Sequence, residues 1–584
     1  MNKPFLCLAL LSLLLPLGSC VPKKAKPAIT IVYTNDIHGY IDNAINDEAG
    51  EEMDALRFSK LSGYVKELRK KDKNVLLVDA GDEVQGAVYG SLDRGKEIIP
   101  IMNEVGYQLA TPGNHDFDFG MEGFQSFVET ASFPYISCNF ISFPDKELVL
   151  EPYKIFDFSG VKVGFIGIST PETITSSTPR FFQNDAGEYI YAFLGYEDPN
   201  DLYQRVQLTI DELKDQTDYL IALGHVGVNA ECIARGYSSP DVIANTSGLN
   251  AFIDGHSHTT MEQRWVDDKE GNRCLLTQTG CYLASFGQLT ISPNGAFSSR
   301  LISDSPFIDT KVQSMENTLI SRVKEKMGQS FATLENPLYI ADPEVPSRRL
   351  IRAKETNLAD LCSDSMYWYL NERKELPCDL ALVNGGGIRA GIPAGEVTYL
   401  AAMSVHPFGN QICLVKASGQ DILDAIEMGV IVSGQWDTDR DGPSENGGFL
   451  HLAGITYDID TAIPSSVVTD ENGMFVSVEG EYRVKNVKVF DREAKAYVPF
   501  DPEKEYLVGG SNYLLKESGC GLSMFADCEG ISDYIDADYV VLAEYMKAFE
   551  SSAVNNLNAP LKAYENYLYD YENPAGSGRI RFLA

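Results

Sequence analysis

Five of the seven histidines in this 584-residue chain fall in short polar clusters, each placed after an apolar run. Ile31-Val32-Tyr33 leads to Asp36-Ile37-His38, Val75–Val78 to Gly81-Asp82, and Leu109–Pro112 to Gly113-Asn114-His115-Asp116. Further on, Tyr219–Leu223 leads to Gly224-His225, and Phe252-Ile253 to Gly255-His256-Ser257-His258. A lone Asp-x-His or Gly-His is an ordinary turn or a core histidine. Five such clusters in chain order, each after an apolar run, are a pattern. Carboxylate, amide and imidazole donors without thiolate suit Zn²⁺, Mn²⁺, Fe or Co²⁺, and the donors suffice for two ions. Two ions about 3.5–4 Å apart bind a phosphate and generate a hydroxide nucleophile between them. Phosphate-ester hydrolysis is the reaction that this set fits best.

The elements that must position these residues follow from the same runs. Short apolar stretches alternate with amphipathic ones through the first half, the α/β pattern, and ligands at the carboxyl ends of several strands of an open sheet meet in one crevice. Val312, Met315, Leu319, Val323 and Met327 fall at helical spacing, with Asp309 placed as N-cap and Gly328 just past the end, which predicts a connecting helix. Pro337, Pro343 and Pro346 then mark a domain boundary near residue 345. A second α/β segment opens with the helical stretch Leu358–Leu370, and Ser418-Gly419-Gln420-Asp421 has the form of a capping box.

The clusters Asp36-x-His38, Gly81-Asp82-x-x-Gln85-Gly86, Gly113-Asn114-His115-Asp116-Phe117-Asp118, Gly224-His225-Val226-Gly227 and Gly255-His256-Ser257-His258 resemble the calcineurin-like metallophosphoesterase domain of the 5′-nucleotidase family. The second half is similar to that family's C-terminal domain through Arg352-x-x-Glu355-Thr356-Asn357-Leu358, Asn384-Gly385-Gly386-Gly387-Ile388-Arg389 and Pro407-Phe408-Gly409-Asn410. The resemblance implies an α/β protein: a four-layer metallophosphoesterase domain over residues 28–308, a linker helix and hinge over 309–345, and a nucleotide-binding α/β domain over 346–584. It implies Asp36, His38, Asp82 and His258 around one metal and Asp82, Asn114, His225 and His256 around the other, with Asp82 bridging. It also implies that His115, oriented by Asp118, acts beside the metals without binding them. Arg352, Asn384 and Arg389 would contact the nucleotide, and Phe408 and Tyr513 would sandwich its base.

Two positions depart from the family pattern. Ser518-Gly519-Cys520-Gly521 stands where Gly-Gly-Asp-Gly is usual, so the carboxylate that would hold the ribose hydroxyls is missing, and His406 precedes Pro407-Phe408 where an apolar residue is common. Outside the pattern, Asp437, Asp439 and Asp441 have the spacing of a calcium loop, but the twelfth position is Gly448 rather than Glu.

Composition sets the bounds. With 44% hydrophobic and 22% charged residues the chain is neither disordered nor fibrous, and a net charge of −35 disfavours binding to a nucleic-acid polymer. An anionic substrate must therefore meet positive charge supplied locally. Lys3 precedes the apolar run Phe5–Leu17, too short for a membrane span, and Leu17-Gly18-Ser19-Cys20 resembles a bacterial lipobox. That implies a signal peptide over 1–19, a lipid on Cys20, a tether over 20–27 and an exported lipoprotein, on the periplasmic face or the cell surface. Among the nine remaining cysteines, Cys274/Cys281 and Cys520/Cys528 are the closest candidates for bridges, with buried thiols as the alternative. The sequence thus points to a lipid-anchored two-metal phosphohydrolase acting on a nucleotide or nucleotide-sugar, with a 5′-nucleotidase preferred. The alternatives are a UDP-sugar or 2′,3′-cyclic nucleotide hydrolase, a thiosulfohydrolase-like enzyme, and a catalytically silent surface-binding lipoprotein.

Overall fold

The computed structural model of the protein describes residues 26–583, except 43, 47–51, 55, 92–93, 185 and 439–440. The apolar leader and Cys20 lie outside the described residues. All the apolar runs that precede the polar clusters form strands. In one five-stranded sheet the order is Phe297–Ile302, Phe286–Ile291, Ile29–Thr34, Val75–Asp79, Leu109–Ala110, the last three being parallel. A six-stranded sheet places Thr260–Asp267, Arg273–Thr279, Ala251–Ile253, Tyr219–His225, Val161–Ser169 and Tyr153–Phe158 side by side, and its four middle strands are parallel.

The side-chain period of two sorts each strand between two cores. Leu76 and Val78 join Ile31, Phe165, Ile221 and Leu289 between the two sheets. Val75 and Leu77 face the opposite way, toward Phe58 and Leu61 of helix Arg57–Lys71 and Ile101 of helix Ile98–Val105. On the far side Ile166, Ile168 and Leu220 pack under helices Pro199–Leu213 and Ser239–Asn245. The result is a helix–sheet–sheet–helix sandwich of four layers.

The helix predicted near Val312–Met327 runs Thr310–Met327, with the Asp309 side chain accepting from the Lys311 amide at its start. Its apolar face, Val312, Leu319 and Val323, packs into the outer core of the first domain, and it also touches helix Tyr399–Val405 of the second.

The second domain is built on a mixed sheet ordered Leu450–Ala453, Leu380–Asn384, Glu505–Ser511, Ile412–Ser418, Glu529–Ser532. Ala381, Val383 and Leu414 pack on helices Asn357–Trp368 and Asp538–Lys547, while Leu380, Leu382 and Val415 face helix Gly419–Gly429. The capping box at Ser418 and Asp421 is formed as expected. Arg579 ties the chain end into this domain. It is 1% exposed, its Nη2 donates to Asp364 Oδ2 at 2.7 Å, and its guanidinium also bonds the carbonyls of Leu568 and Leu452. Asp364 accepts further bonds from Tyr567 and Tyr571, so the buried pair is fully enclosed by partners.

Neither candidate disulfide forms. Cys274 is a thiol pointing into the core under helix Pro199–Leu213, and Cys528 is a thiol against Met524, so Cys281 and Cys520 have no bridge to those positions. Close spacing in sequence is overridden here by strand pleating, which turns Cys274 inward.

Removing one member of a buried ion pair strands the other charge, at a cost of about 3–5 kcal/mol. Arg579→Met should therefore lower the urea midpoint of the second domain's unfolding transition, and Asp364→Asn should do so less because the amide still accepts from the arginine. An unchanged midpoint in Arg579→Met would show that the pair contributes no net stability.

Candidate active site

Every cluster singled out in the first half sits just past, or at, the carboxyl end of a parallel strand. Asp36 and His38 follow Ile29–Thr34, Asp82 follows Val75–Asp79, Asn114 and His115 follow Leu109–Ala110, His225 ends Tyr219–His225, and His256 and His258 follow Ala251–Ile253. The two sheets deliver them to one crevice. His225 Nε2 lies 3.1 Å from Asp82 Oδ2 and 3.9 Å from Asp36 Oδ1. His38 Nε2 lies 2.9 Å from His258 Nε2 and 3.8 Å from both Asp36 Oδ1 and Asp82 Oδ2. His256 Nδ1 lies 2.9 Å from Asn114 Oδ1.

The backbone at these positions is unusual. Asp36, His38, Asp82, His256 and His258 have φ of 51°, 52°, 59°, 75° and 53°, in the left-handed region that non-glycine residues avoid. Each such residue costs about 1–3 kcal/mol and persists only where its surroundings fix it. Asp116 supplies part of that fixing: its carboxylate accepts from the amides of Asp82, Glu83 and Gly113. Gly113 is required as glycine, since a Cβ there would fall 2.2 Å from Asp82 Oδ1. Asp254 does the same for the loop after His225, accepting from Val226 and Gly227 and from the hydroxyl of Ser239.

Ring orientation fixes which nitrogen each histidine turns inward. His38 Nδ1 faces the Gln85 carbonyl at 2.7 Å and His225 Nδ1 the Ala80 carbonyl at 2.7 Å. A carbonyl only accepts, so each Nδ1 carries the proton and each Nε2 presents a lone pair to the carboxylates. For His256 the outer nitrogen is Nε2, 2.6 Å from Glu172 Oε1, which leaves Nδ1 facing the acceptor Oδ1 of Asn114. Acceptors thus converge on acceptors, the arrangement a divalent cation resolves. Taken alone, the side chains meet the same demand with protons, and the His225 ring then carries one on Nε2 as well, toward Asp82. Burial, together with Asp82, pushes the Asp36 carboxyl up to about 6 against the pull of His225. For His225 burial opposes charge, but Asp82 and Asp36 raise it to about 10. The carboxylates therefore recruit positive charge from whatever group can supply it.

His115 lies beside this cluster with its backbone amide bonded to Asp82 Oδ1 at 2.8 Å. Its Nδ1 is 2.6 Å from Asp118 Oδ2, and Ser177 Oγ donates to Asp118 Oδ1 at 2.8 Å. The His115 ring is 5.4 Å from that of His38 and 5.7 Å from that of Phe408, which belongs to the second domain.

One cavity of about 330 Å³ joins the two domains. From the first domain it exposes Asp82, Asn114, His115, His256 and His258; from the second it exposes Arg352, Asn384, Arg389, Phe408 and Tyr513. Asp36, His38 and His225 lie behind that wall, fully buried. The Arg389 guanidinium stands 5.9 Å from the Phe408 ring centre. Asn384 Nδ2 is committed to the Gly447 carbonyl at 2.9 Å, which closes the turn Gly385–Gly387. Tyr513 Oη donates to the Thr175 carbonyl across the domain boundary at 3.0 Å and accepts from the Cys520 amide at 3.1 Å. His406 also finds its reason: it is buried, held neutral down to about 4 by that burial, and bonds the Gly387 carbonyl at 3.3 Å. It braces the glycine turn from behind.

Two site residues escaped the sequence reading: Glu172 and Tyr237 are neither histidines nor part of a metal-type cluster, although Glu172 follows an apolar strand by the same rule as the others. Asp116 lies within a cluster, but its role in holding the loop amides is not legible there. Burial raises the cost of ionising Glu172, yet His256, Tyr237 and Arg235 hold its carboxyl at about 2. In the acidic hairpin, Asp437 pairs with Gly442, Asp441 is bonded to Arg348, and Asp439 lies outside the described residues.

The sandwich and the convergent donors define a metal-dependent phosphoester hydrolase, and comparison with known proteins agrees. Residues 29–260 match the calcineurin-like phosphoesterase family and residues 330–527 the 5′-nucleotidase C-terminal domain. The chain belongs to the 5′-nucleotidase family of calcineurin-like phosphoesterases. It is 25% identical over 629 residues to the 5′-nucleotidase of Rattus norvegicus, covering 100% of this chain and 95% of the rat protein. It is 26% identical over 581 residues to the trifunctional nucleotide phosphoesterase YfkN of Bacillus subtilis, covering 90% of this chain but spanning only 34% of the Bacillus protein. The crystal structure of a 5′-nucleotidase precursor from Thermus thermophilus is 25% identical, with a TM-score of 0.74 over 95% of this chain and 99% of that one. Members of the family use divalent metal ions.

Asp82 stands between the two groups of donors, so Asp82→Asn should lose metal content and activity together. His115→Ala should keep its metals while turnover falls by about 10²–10⁴, the usual contribution of a positioned acid or base. Metal analysis beside turnover distinguishes the two, and metal loss from His115→Ala would place His115 among the ligands.

Proposed function

We propose that the protein is an exported, lipid-anchored 5′-nucleotidase that works with two divalent ions drawn from Zn, Mn, Co or Fe. Asp36, His38, Asp82 and His258 would hold one ion and Asp82, Asn114, His225 and His256 the other. When bound, the ions supply Lewis-acid stabilisation of the phosphoryl oxygens and a hydroxide nucleophile at neutral pH. The residues of the chain do the rest. Asp118 fixes His115 through Nδ1, which leaves Nε2 to steady the transferring phosphoryl group or to give a proton to the leaving oxygen. Arg352 and Arg389 bring positive charge to a phosphate in a protein that otherwise repels anions. Phe408 and Tyr513 would take the base between them, a contact that tolerates different bases.

The observation that carries this reading is the shared cavity. Phe408 of the second domain stands 5.7 Å from the His115 ring, which supports a reading in which a nucleotide whose base stacks on Phe408 brings its 5′-phosphate to the donor cluster. Residues 28–308 would do the chemistry and 346–584 present the substrate, with 309–345 as the hinge between them. Among the described residues no helix is long and apolar enough to cross a membrane.

The test is phosphate release from AMP, UMP, UDP-glucose and 2′,3′-cyclic AMP by metal-stripped and metal-restored protein. Hydrolysis of the 5′-monophosphates, dependent on added metal, is expected; faster turnover of UDP-glucose or the cyclic nucleotide would move the assignment within the family, and none with any substrate would make this a binding protein.

Cys520 gives a second expectation. Tyr513 Oη and Asn384 Nδ2 each lie 3.5 Å from its Sγ, and a thiol accepts hydrogen bonds weakly. Ribo- and 2′-deoxynucleotides should therefore be hydrolysed with similar kcat/KM. Cys520→Asp should shift that ratio toward the ribonucleotide by about tenfold or more, since a hydrogen bond to a charged group contributes about 1.5–3 kcal/mol. A strong ribose preference in the unmodified enzyme would count against this account.

A further inference from the structure

Among the histidines read as metal ligands, His256 differs from His38 and His225 in what holds its outer nitrogen. His38 and His225 lean on the backbone carbonyls of Gln85 and Ala80, which any sequence would supply. His256 leans on a side chain. Glu172 lies just past strand Val161–Ser169, 7% exposed, with Oε1 2.6 Å from His256 Nε2. Its other oxygen accepts from Tyr237 Oη at 2.7 Å, and the Tyr237 ring is itself fully buried. The remaining surroundings confine the ring without choosing which nitrogen faces inward. A Cβ on Gly227 would come within 3.0 Å of His256 Cδ2, and the His225 ring lies edge-on at 5.2 Å.

We propose that Glu172, held in place by Tyr237, is a positioning residue that commits His256 Nε2 to donation and so presents Nδ1 as the donor beside Asn114 for the second metal ion. A carboxylate partner fixes the tautomer of a ligating imidazole and raises its basicity, and loss of such a partner typically weakens metal binding 10–100-fold. Glu172 also lies on the short stretch that carries the Thr175 carbonyl, bonded by Tyr513, and Ser177, bonded to Asp118. Glu172, Cys232 and His256 also offer ligand atoms within 4.8 Å of one another, the makings of a separate metal set. The hydrogen bond accounts for the 2.6 Å separation without a further ion, and Glu172 is already engaged by Tyr237.

The inference rests on the two-ion reading above, and the experiment separates the two. Metal-stripped full-length protein is titrated with Co²⁺, whose absorption bands report ligand geometry, against a competing chelator. The unmodified protein should bind two equivalents. In Glu172→Ala one binding step should weaken 10–100-fold while the other, which depends on His38 and His258, stays within about twofold. Glu172→Gln, whose amide oxygen still accepts from Nε2, should restore most of the affinity, and Tyr237→Phe should weaken the same step as Glu172→Ala by a smaller factor; a general structural defect would move both steps. Unchanged affinity for both ions in Glu172→Ala and Tyr237→Phe would overturn the proposal, as would a third equivalent of cobalt that disappears in both Cys232→Ser and Glu172→Ala. Failure of the unmodified protein to bind two ions would instead remove the two-ion reading itself.

Discussion

The rest of this structure depends on a set of buried acceptors brought together without a counter-charge of their own. Asp36 and Asp82 are both enclosed, and the inward nitrogens of His38, His225 and His256 face the Nε2 of His258, a carboxylate oxygen of Asp82 and the amide oxygen of Asn114. Such a cluster would disperse if its backbone were free to relax. It is held because the ligands hang on loops that leave parallel strands buried on both faces, and because Asp116 and Asp254 tie those loops together through their amides. The left-handed backbone at five of the seven donor positions is the strain that this convergence requires, and the four-layer packing around it supplies the rigidity.

The same constraint bears on the division of labour proposed for the two domains. A first domain built around buried negative charge is a poor surface for an anion until cations neutralise it. In the proposed reading, positive charge for a phosphate would come instead from Arg352 and Arg389 of the second domain, which line the same cavity. The stretch from Glu172 to Ser177 lies where these parts meet. Glu172 reaches the donor cluster, the Thr175 carbonyl meets Tyr513 of the second domain, and Ser177 holds the carboxylate behind His115. Closure of the cavity and orientation of the reacting groups therefore share one short segment.

Where this chain departs from its family the consequences are local. His406 replaces an apolar residue but stays buried and neutral, spending its one donor on the Gly387 carbonyl, so the glycine turn keeps its shape. Cys520 takes up φ 56° in the loop that folds over Tyr513, and the thiol faces Asn384 and the tyrosine hydroxyl. On the proposed reading, the missing carboxylate would bear on recognition of the sugar and leave the phosphate side alone.

Much of this was legible in the sequence because it depends on local pattern. The strands Ile29–Thr34, Val75–Asp79, Tyr219–His225 and Ala251–Ile253 announced themselves as apolar runs, the capping box at Ser418 by its spacing, and the donor clusters by following those runs. Chain order could say that Asp36, Asp82, His225 and His258 belong to one crevice, since parallel strands put their carboxyl ends on the same edge. It could not say which ring nitrogen points inward, nor that Glu172 and Tyr237 stand behind His256, 84 residues away in the case of Glu172. Nor could spacing decide the cysteines: Cys274 and Cys281 are neighbours in the chain, but the pleat turns Cys274 into a core that its partner does not enter. Residue type and order fix which groups can reach the site, because strand direction is a local property. Tautomer, strain and second-layer support are decided only when distant segments pack, because each depends on what occupies the space on the far side of the side chain.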